Sequence, residues 1–269
     1  MTRKLVGAIL LIGLIGAVKG CKGGEAAVLK ARKVDSAGGT VALGLGNAPK
    51  YRPVTLSANG SVGGTILLQG VLAIPAVPPA HAAACGDSAT VAAAMNASGA
   101  TPISGVLVWI DSIGTGKPLP NVRRATIEID HCRFVPSLIA VATGTTINVF
   151  SQDRMTHTSR FYRERSNESI EEIHTVDAGQ VVPSEKIASQ AGIVEVRHVE
   201  HPWVRGYIAV FDHPYFAVTD DRGAFRIDSL PPGTYTVKVW HERLKAPAEQ
   251  RVVVSSGGVG RLELMLTSK

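Results

Sequence analysis

Three histidines have a spacing that is typical of metal ligands in a β-sandwich. His198 and His201 lie three residues apart after a short alternating run, and His157 lies about forty residues upstream, also beside a predicted strand. A single upstream ligand followed by a close downstream pair is an order in which a β-sandwich assembles a metal site. Imidazole suits divalent copper and zinc. The spacing therefore predicts a copper or zinc site formed by His157, His198 and His201, with the Asp153 carboxylate orienting His157.

Three other interpretations of these histidines stay open. In the first, the site is vestigial, and His198, which shares one strand face with Val194 and Val196, is only the last residue of a buried row. Alternatively, the cluster is a proton-sensing or docking surface, since histidine titrates near neutrality. The last is hydrolysis by a metal-activated water, which would require a nearby general base, and no carboxylate has an evident claim to that role.

Composition and charge restrict the function classes. The 269-residue chain is 45% hydrophobic and 19% charged, which indicates a globular protein with a sizeable core in one large or two small domains. Its net charge of +6 comes from scattered lysines and arginines, without an arginine-rich helix or a basic patch interleaved with aromatic residues. We therefore expect no nucleic-acid binding. The mild basicity is compatible with anionic lipid or an acidic partner.

The N-terminus has the pattern of a secretory signal, predicted over residues 1–20. Arg3 and Lys4 precede the apolar run Leu5–Val18, which is too short for a membrane span of about 20 residues. The ending Gly20-Cys21 resembles a bacterial lipoprotein cleavage site, which implies that Cys21 is lipidated. Ordinary signal cleavage nearby is the alternative. Both predict an extracytoplasmic protein of the bacterial cell envelope, and lipidation would anchor it in the membrane, facing the periplasm or in the outer membrane.

The three cysteines support this assignment. If Cys21 carries lipid, Cys85 and Cys132 are left to pair as a disulfide in an oxidising compartment. Two buried thiols are one alternative. The other is Cys132 as a metal ligand, which its position before the histidine pair disfavours.

Most of the chain after residue 51 reads as short β-strands, so the predicted fold class is all-β. Residues 21–50 read as a tether with one strand at Thr40–Leu45, and Asn167–Ile173 is the one region that we expect to be helical. The predicted strands are β-branched or aromatic runs separated by turn residues: Thr65–Leu72, Ser104–Asp111, Ala125–Ile129, Ile139–Val141, Thr145–Phe150, Gly192–Arg197, Arg205–Phe211, Phe216–Thr219, Ala224–Ile227, Thr234–His241 and Gln250–Val254.

Two groups of motifs carry a family resemblance. The first group resembles exported cupredoxin-like proteins of the plastocyanin-like or methylamine-utilisation type, and comprises Cys132-Arg-Phe-Val-Pro136, Gly144, Asp153, His157 and His201-Pro-Trp203. The second is similar to the carboxypeptidase regulatory-like domain, a small transthyretin-like sandwich, and comprises Phe216–Asp220, Gly223, Phe225, Leu230–Tyr235 and Trp240–Glu242. The resemblance implies a Greek-key cupredoxin-like sandwich over residues 51–212 and carboxypeptidase regulatory-like strands over residues 213–269.

The chain departs from the cupredoxin pattern at the metal ligands. His198 stands where the family has its ligand cysteine, and Val204 stands where it has methionine. Without the thiolate, three imidazoles favour Cu(II) or Zn(II), and a blue-copper electron carrier is not expected.

Other clusters are weaker. His213, His241 and Glu242 are expected to be structural, and no nucleophile elbow or zinc-protease helix is present, so we do not expect an enzyme. The rival function is an envelope scaffold, adhesion or carbohydrate-binding module with a vestigial metal site, based on fold-level analogy alone.

Overall fold

The computed structural model describes residues 28–29, 50–72, 85, 95–164, 168–247 and 249–268. The predicted signal peptide, Cys21 and the predicted strand Thr40–Leu45 lie outside these residues. Across the described ranges, no helix has the length and apolar character needed to cross a membrane. The described residues form strands β1 Val28–Leu29, β2 Arg52–Pro53, β3 Gly60–Leu72, β4 Met95–Pro102, β5 Leu107–Ile110, β6 Thr115–Gly116, β7 Arg124–Asp130, β8 Arg133–Val135, β9 Leu138–Ala142, β10 Thr145–Ser151, β11 His157–Arg163, β12 Ser169–Thr175, β13 Val181–Ala188, β14 Gly192–His198, β15 Arg205–Phe211, β16 Phe216–Val218, β17 Ala224–Leu230, β18 Gly233–Trp240, β19 Leu244–Lys245, β20 Gln250–Val254 and β21 Val259–Ser268.

The all-β prediction is confirmed, and every strand predicted after residue 51 overlaps one of these strands. The helix predicted over Asn167–Ile173 is wrong, because Ser169–Thr175 forms β12 and pairs antiparallel with β11. In β12 the side chains of Ile173 and Thr175 are buried, whereas the intervening His174 is exposed. This alternation has the two-residue period of a strand, and the acidic character of the segment only imitated that of an exposed helix.

The site lies in a sandwich of two sheets formed by residues 124–211. One sheet has the strand order β13-β10-β7-β8, and the other has the order β12-β11-β14-β15-β9. Strand β10 alternates strictly between buried and half-buried side chains, as expected for a strand that covers a core with one face. The core between the sheets is aliphatic apart from Phe134 and Phe161, and includes Ile127, Ile147, Val196 and Ile208.

A second pair of sheets combines early and late parts of the chain. Strand β21 pairs in parallel with β3, and β17 pairs with the other edge of β3. In the facing sheet, β5 lies between β16 and β18. Strands β3 and β5, which precede the first sandwich in the sequence, therefore share a core with the C-terminal strands. The predicted boundary between residues 51–212 and 213–269 stays a prediction. Strand pairing adds β3 and β5, which lie before that boundary, to the sheets of the C-terminal strands.

His213 lies between the end of β15 and the aromatic residues Tyr51 and Tyr215 of the second core. Its ring packs against Phe211 at 5.3 Å and against Tyr51 and Tyr215 at 6.3 Å. The Tyr215 N–H donates to His213 Nδ1 at 3.2 Å, which supports the structural role expected from the sequence. Burial lowers the pKa of His213 to about 4, although the charges of Asp212 and Asp111 oppose the shift. A protonated ring is thus disfavoured in the folded protein.

We expect His213 to make folding sensitive to acid. As the pH falls below about 6.5 the unfolded chain binds a proton that the folded chain accepts only near pH 4, so the free energy of unfolding decreases by about 3 kcal/mol over this interval. His213→Asn should flatten the dependence measured by urea unfolding between pH 7 and 4, beyond any constant loss of stability. His174→Asn, at an exposed histidine, is the control. An unchanged slope in His213→Asn would contradict the assignment.

Candidate metal centre

Two of the predicted ligands lie at one end of adjacent antiparallel strands. Strand β11 begins at His157 and β14 ends at His198, and Ser159 is the cross-strand partner of His198. Alternation places His157, Ser159 and Phe161 on the buried face of β11, and Val194, Val196 and His198 on the buried face of β14. The histidines therefore continue two rows of core side chains at the end of the sandwich.

His201 joins them from the loop after β14, where the Val204 N–H donates to the His201 carbonyl at 2.8 Å and closes a turn. The ring centroids of His157 and His198 are 4.8 Å apart. The His201 centroid lies 5.6 Å from that of His157 and 5.9 Å from that of His198. A tetrahedral ion bound by three imidazoles at about 2.0–2.1 Å holds their centroids about 5 Å apart. All three side chains are buried, with at most 2% exposure. The structure thus brings the three predicted ligands into one closed cluster.

Asp153 fixes the orientation and the tautomer of His157. Asp153 Oδ2 lies 2.8 Å from His157 Nε2. An ionised carboxylate only accepts hydrogen bonds, so His157 carries its proton on Nε2 and presents a lone pair at Nδ1. This is the arrangement in which a metal-bound imidazole is usually held.

The same carboxylate anchors the turn between β7 and β8. Its two oxygens accept the backbone N–H groups of His131 and Cys132, each at 2.8 Å. Both residues have left-handed backbone conformations, with φ of 50° and 57°. Such conformations are uncommon outside glycine, and charged hydrogen bonds to their N–H groups help to hold them. Asp153 therefore positions both His157 and Cys132.

Several ring nitrogens in the cluster are buried without a hydrogen-bond partner among the described residues. They are Nδ1 of His157 and both nitrogens of His198. Burial, followed by the nearby His157 and His201, lowers the pKa of His198 to about 3. The nearby Thr158 backbone acts in the opposite direction and raises the pKa of His198. Its distance and angle do not make a hydrogen bond to either ring nitrogen of His198. His198 is therefore neutral at physiological pH, as a metal ligand must be.

An aromatic contact limits the movement of His198. The Phe134 ring stacks on it with the centroids 4.3 Å apart and the planes inclined by 7°. Phe134 is itself buried in the core and belongs to β8, the strand that follows the turn anchored by Asp153. The pattern Cys132-x-Phe134 thus places its aromatic ring directly against a candidate ligand.

The predicted disulfide is present and lies beside the histidines. Cys85 and Cys132 are joined, and Cys85 Sγ lies 3.9 Å from His201 Nε2. Met155 and Trp203 pack against the two cysteines. Sequence reasoning disfavoured Cys132 as a metal ligand because it precedes the histidine pair in the chain, and it considered Cys85 only as the disulfide partner of Cys132. Neither position revealed the proximity.

The tightest groupings of ligand atoms contain mixed residue types. Among the residues described, three sets have ligand atoms within 4.8 Å of one another: Cys85, Cys132 and His201; Cys132, Asp153 and His157; and His157, His198 and Glu200. An ion held by all three imidazoles therefore requires the rings to rotate from these orientations. Glu200 was not predicted, and its position directly before His201 was the available signal.

Glu200 is held at the rim of the cluster by the Thr158 N–H, which donates to Glu200 Oε2 at 2.9 Å. Partial burial raises the pKa of Glu200, but the hydrogen bonds from Thr158 outweigh that effect and leave the pKa below its usual value. A carboxylate that stays ionised beside two imidazoles is a candidate fourth ligand.

Comparison with known proteins gives one family match and several structural neighbours. Residues 207–262 match the family model of polysaccharide lyase family 4, domain II. This match covers a small part of the chain and carries a different description from the predicted carboxypeptidase regulatory-like region, whose identity stays a prediction. Among curated proteins, no relative matches the chain.

The structural neighbours are copper proteins at low identity. A purple cupredoxin from Nitrosopumilus maritimus is 18% identical over 32% of this chain and 98% of its own, with a TM-score of 0.27. Amicyanin from Paracoccus versutus is 16% identical over 38% of this chain and 96% of its own, with a TM-score of 0.28. A copper-containing nitrite reductase from Thermus scotoductus is 16% identical over 39% of this chain and 25% of its own, with a TM-score of 0.29. At these scores the neighbours do not decide the function of the site.

We expect Asp153→Asn to destabilise the protein by about 1–3 kcal/mol, because an amide has one accepting oxygen where the carboxylate has two, and at least one of the three N–H groups loses its charged acceptor. Urea unfolding of the metal-free protein measures the loss. Asp177→Asn, at an exposed aspartate in another loop, is the matched control. Equal stability of the two variants would show that the carboxylate does not anchor the site.

Proposed function

We propose that this chain is a cell-envelope protein in which His157, His198 and His201 bind one divalent copper or zinc ion. In this proposal it is neither an enzyme nor a blue-copper electron carrier. The observation that carries the proposal is the state of His157: its Nε2 is fixed by Asp153, and its Nδ1 is buried and lacks a hydrogen bond within the described structure. Its ring centroid lies 4.8 Å from that of His198 and 5.6 Å from that of His201.

The energetics favour a bound ion over a vestigial site. A buried polar atom without a partner costs about 1–3 kcal/mol, and His157 and His198 together contribute three such nitrogens among the described side chains. Simple packing does not compensate for this cost. A neutral imidazole has one lone pair and one N–H, so coordination would use Nδ1 of His157 and one of the two His198 nitrogens. The neutral state that burial imposes on His198 is the one that coordinates.

The donor set favours Cu(II) or Zn(II). Imidazole nitrogens suit both ions, and the carboxylate of Glu200 is available as a fourth ligand beside His157 and His198. Cys85 and Cys132, the cysteines that the structure describes, form a disulfide, so neither offers a thiolate to make a blue-copper centre. The bound ion would supply Lewis acidity, but the burial of all three histidines leaves little room for substrate. A closed site of this kind fits metal storage, transfer or structural stabilisation.

The test is titration of the full chain carrying Cys21→Ser with Cu(II) and Zn(II), followed by calorimetry and absorption. We expect one equivalent to bind without intense blue absorption. His157→Ala and His198→Ala should each weaken binding by roughly tenfold or more, given that even the loss of outer-shell partners typically costs 10–100-fold. His174→Ala, at an exposed histidine of β12, is the matched control. Affinities equal to that control would refute the ligand assignment.

The envelope location rests on the N-terminal pattern and on Cys21. We expect Cys21→Ser to move the protein from the membrane fraction to the soluble periplasmic fraction, because the substitution removes the acyl attachment that provides stable anchoring. Fractionation with immunodetection measures this change, and Cys85→Ser serves as the cysteine control. Retention of Cys21→Ser in membranes would exclude lipidation as the anchor.

A carbohydrate-binding module with a vestigial metal site is the second candidate. The observation in its favour is the match of residues 207–262 to a polysaccharide lyase domain. Within these residues, Tyr207 and Trp240 form a half-buried edge-to-face pair with centroids 5.1 Å apart. The absence of stoichiometric metal in the titration would favour this candidate over the first.

A further inference from the structure

Sulfur atoms lie next to the histidine cluster although the chain has no cysteine or methionine at the positions expected of cupredoxins. The two cysteine sulfurs and a ring nitrogen of His201 lie within 4.8 Å of one another. Cys132 Sγ is also within 4.8 Å of a His157 ring nitrogen and an Asp153 oxygen. The disulfide therefore lies beside His157 and His201, whereas the set formed by His157, His198 and Glu200 contains no sulfur.

The position of Cys132 does not depend on the disulfide alone. Asp153 accepts the Cys132 N–H at 2.8 Å, and the same carboxylate contacts His157. Breaking the sulfur–sulfur bond would leave this anchor in place. The Cα atoms of the two cysteines are 5.3 Å apart, a separation from which both side chains can reach one ion at about 2.3 Å. Met155, with its thioether, packs against the pair.

We propose that the Cys85–Cys132 disulfide masks a second, soft-metal site. In the reduced protein, Cys85, Cys132 and His201 bind Cu(I), with Met155 supplying a further soft donor. This inference deepens the proposed function, on which it rests for the use of the shared histidine. Thiolates and thioethers select Cu(I), whereas the imidazole set of the oxidised protein suits Cu(II) and Zn(II).

The redox step is a thiol–disulfide exchange with a dithiol donor. The donor loses two electrons and two protons and becomes a disulfide, while the Cys85–Cys132 bond is replaced by two thiols. Binding of Cu(I) then displaces the thiol protons to solvent, and the copper remains in its +1 state. The disulfide and Cu(I) compete for the same two sulfur atoms, so the redox state of the chain determines which metal ion it holds.

The arrangement of donors predicts a double dissociation. His198 belongs to the set His157, His198 and Glu200, which contains no sulfur. His198→Ala should therefore weaken Cu(II) and Zn(II) binding by the oxidised protein roughly tenfold or more, and leave Cu(I) binding by the reduced protein within about twofold. Conversely, Cys85→Ser/Cys132→Ser should remove Cu(I) binding and leave the binding of the divalent ions. His201→Ala should weaken both.

The experiment compares oxidised and anaerobically reduced forms of the full chain carrying Cys21→Ser, which also removes a competing thiol. Reduction is verified by titration of two free thiols, and folding by circular dichroism. Cu(I) affinity is measured by competition with bicinchoninate. The reduced form should bind one Cu(I) about 100-fold or more tightly than the oxidised form, with ultraviolet thiolate-to-copper absorption.

The outcomes separate this inference from the proposed function. Equal Cu(I) affinity in the two redox states would overturn the masked site, and so would a gain that persists in Cys85→Ser/Cys132→Ser. The comparison between redox states of the same chain decides the question even if the double variant does not fold. Failure of the oxidised protein to bind Cu(II) or Zn(II) would instead overturn the divalent site and leave the Cu(I) result standing.

Discussion

The Asp153 carboxylate is the point at which three separate segments of the chain are tied together. It accepts hydrogen bonds from the backbone N–H groups of the left-handed turn at His131 and Cys132 and from the ring of His157, the first residue of β11. The conformation of that turn and the orientation of the His157 ring therefore depend on one charged group. The turn then sets the position of Phe134, which stacks on His198. The geometry of the histidine cluster is therefore determined largely by residues that need not touch a metal.

The cluster lies where two rows of apolar side chains end. A β-sandwich buries every second residue of a strand, and a histidine at the end of such a row is desolvated by its neighbours without being central to the core. This location lowers the pKa of His198, and it leaves ring nitrogens of His157 and His198 without hydrogen bonds among the described residues. The pleat of the sandwich thus brings buried nitrogen donors together at the end of its core.

Local patterns predicted what depends on local structure. Alternation identified the strands and placed Val194, Val196 and His198 on one face, and the cysteine count gave the disulfide. The acidic segment of β12 was misread because its buried residues are few and its strand character comes from pairing with β11. Cys85 lies near His201, and β21 pairs in parallel with β3, although both contacts join residues that are far apart in the sequence. No local periodicity predicts contacts of this kind.

The pairing of β3 with β21 has a consequence for how the chain acquires its structure. Strand β3 carries the buried side chains Val62, Ile66 and Leu68, and its partners β17 and β21 come from the far side of the first sandwich in sequence. Contacts of such wide sequence separation form late and slowly. Residues 124–211 have their own core and need not wait for them. A nascent chain can therefore complete its histidine-bearing sandwich first. Strand β3 has only β4 as a nearby partner and lacks β17 and β21 until the C-terminal residues have been synthesised.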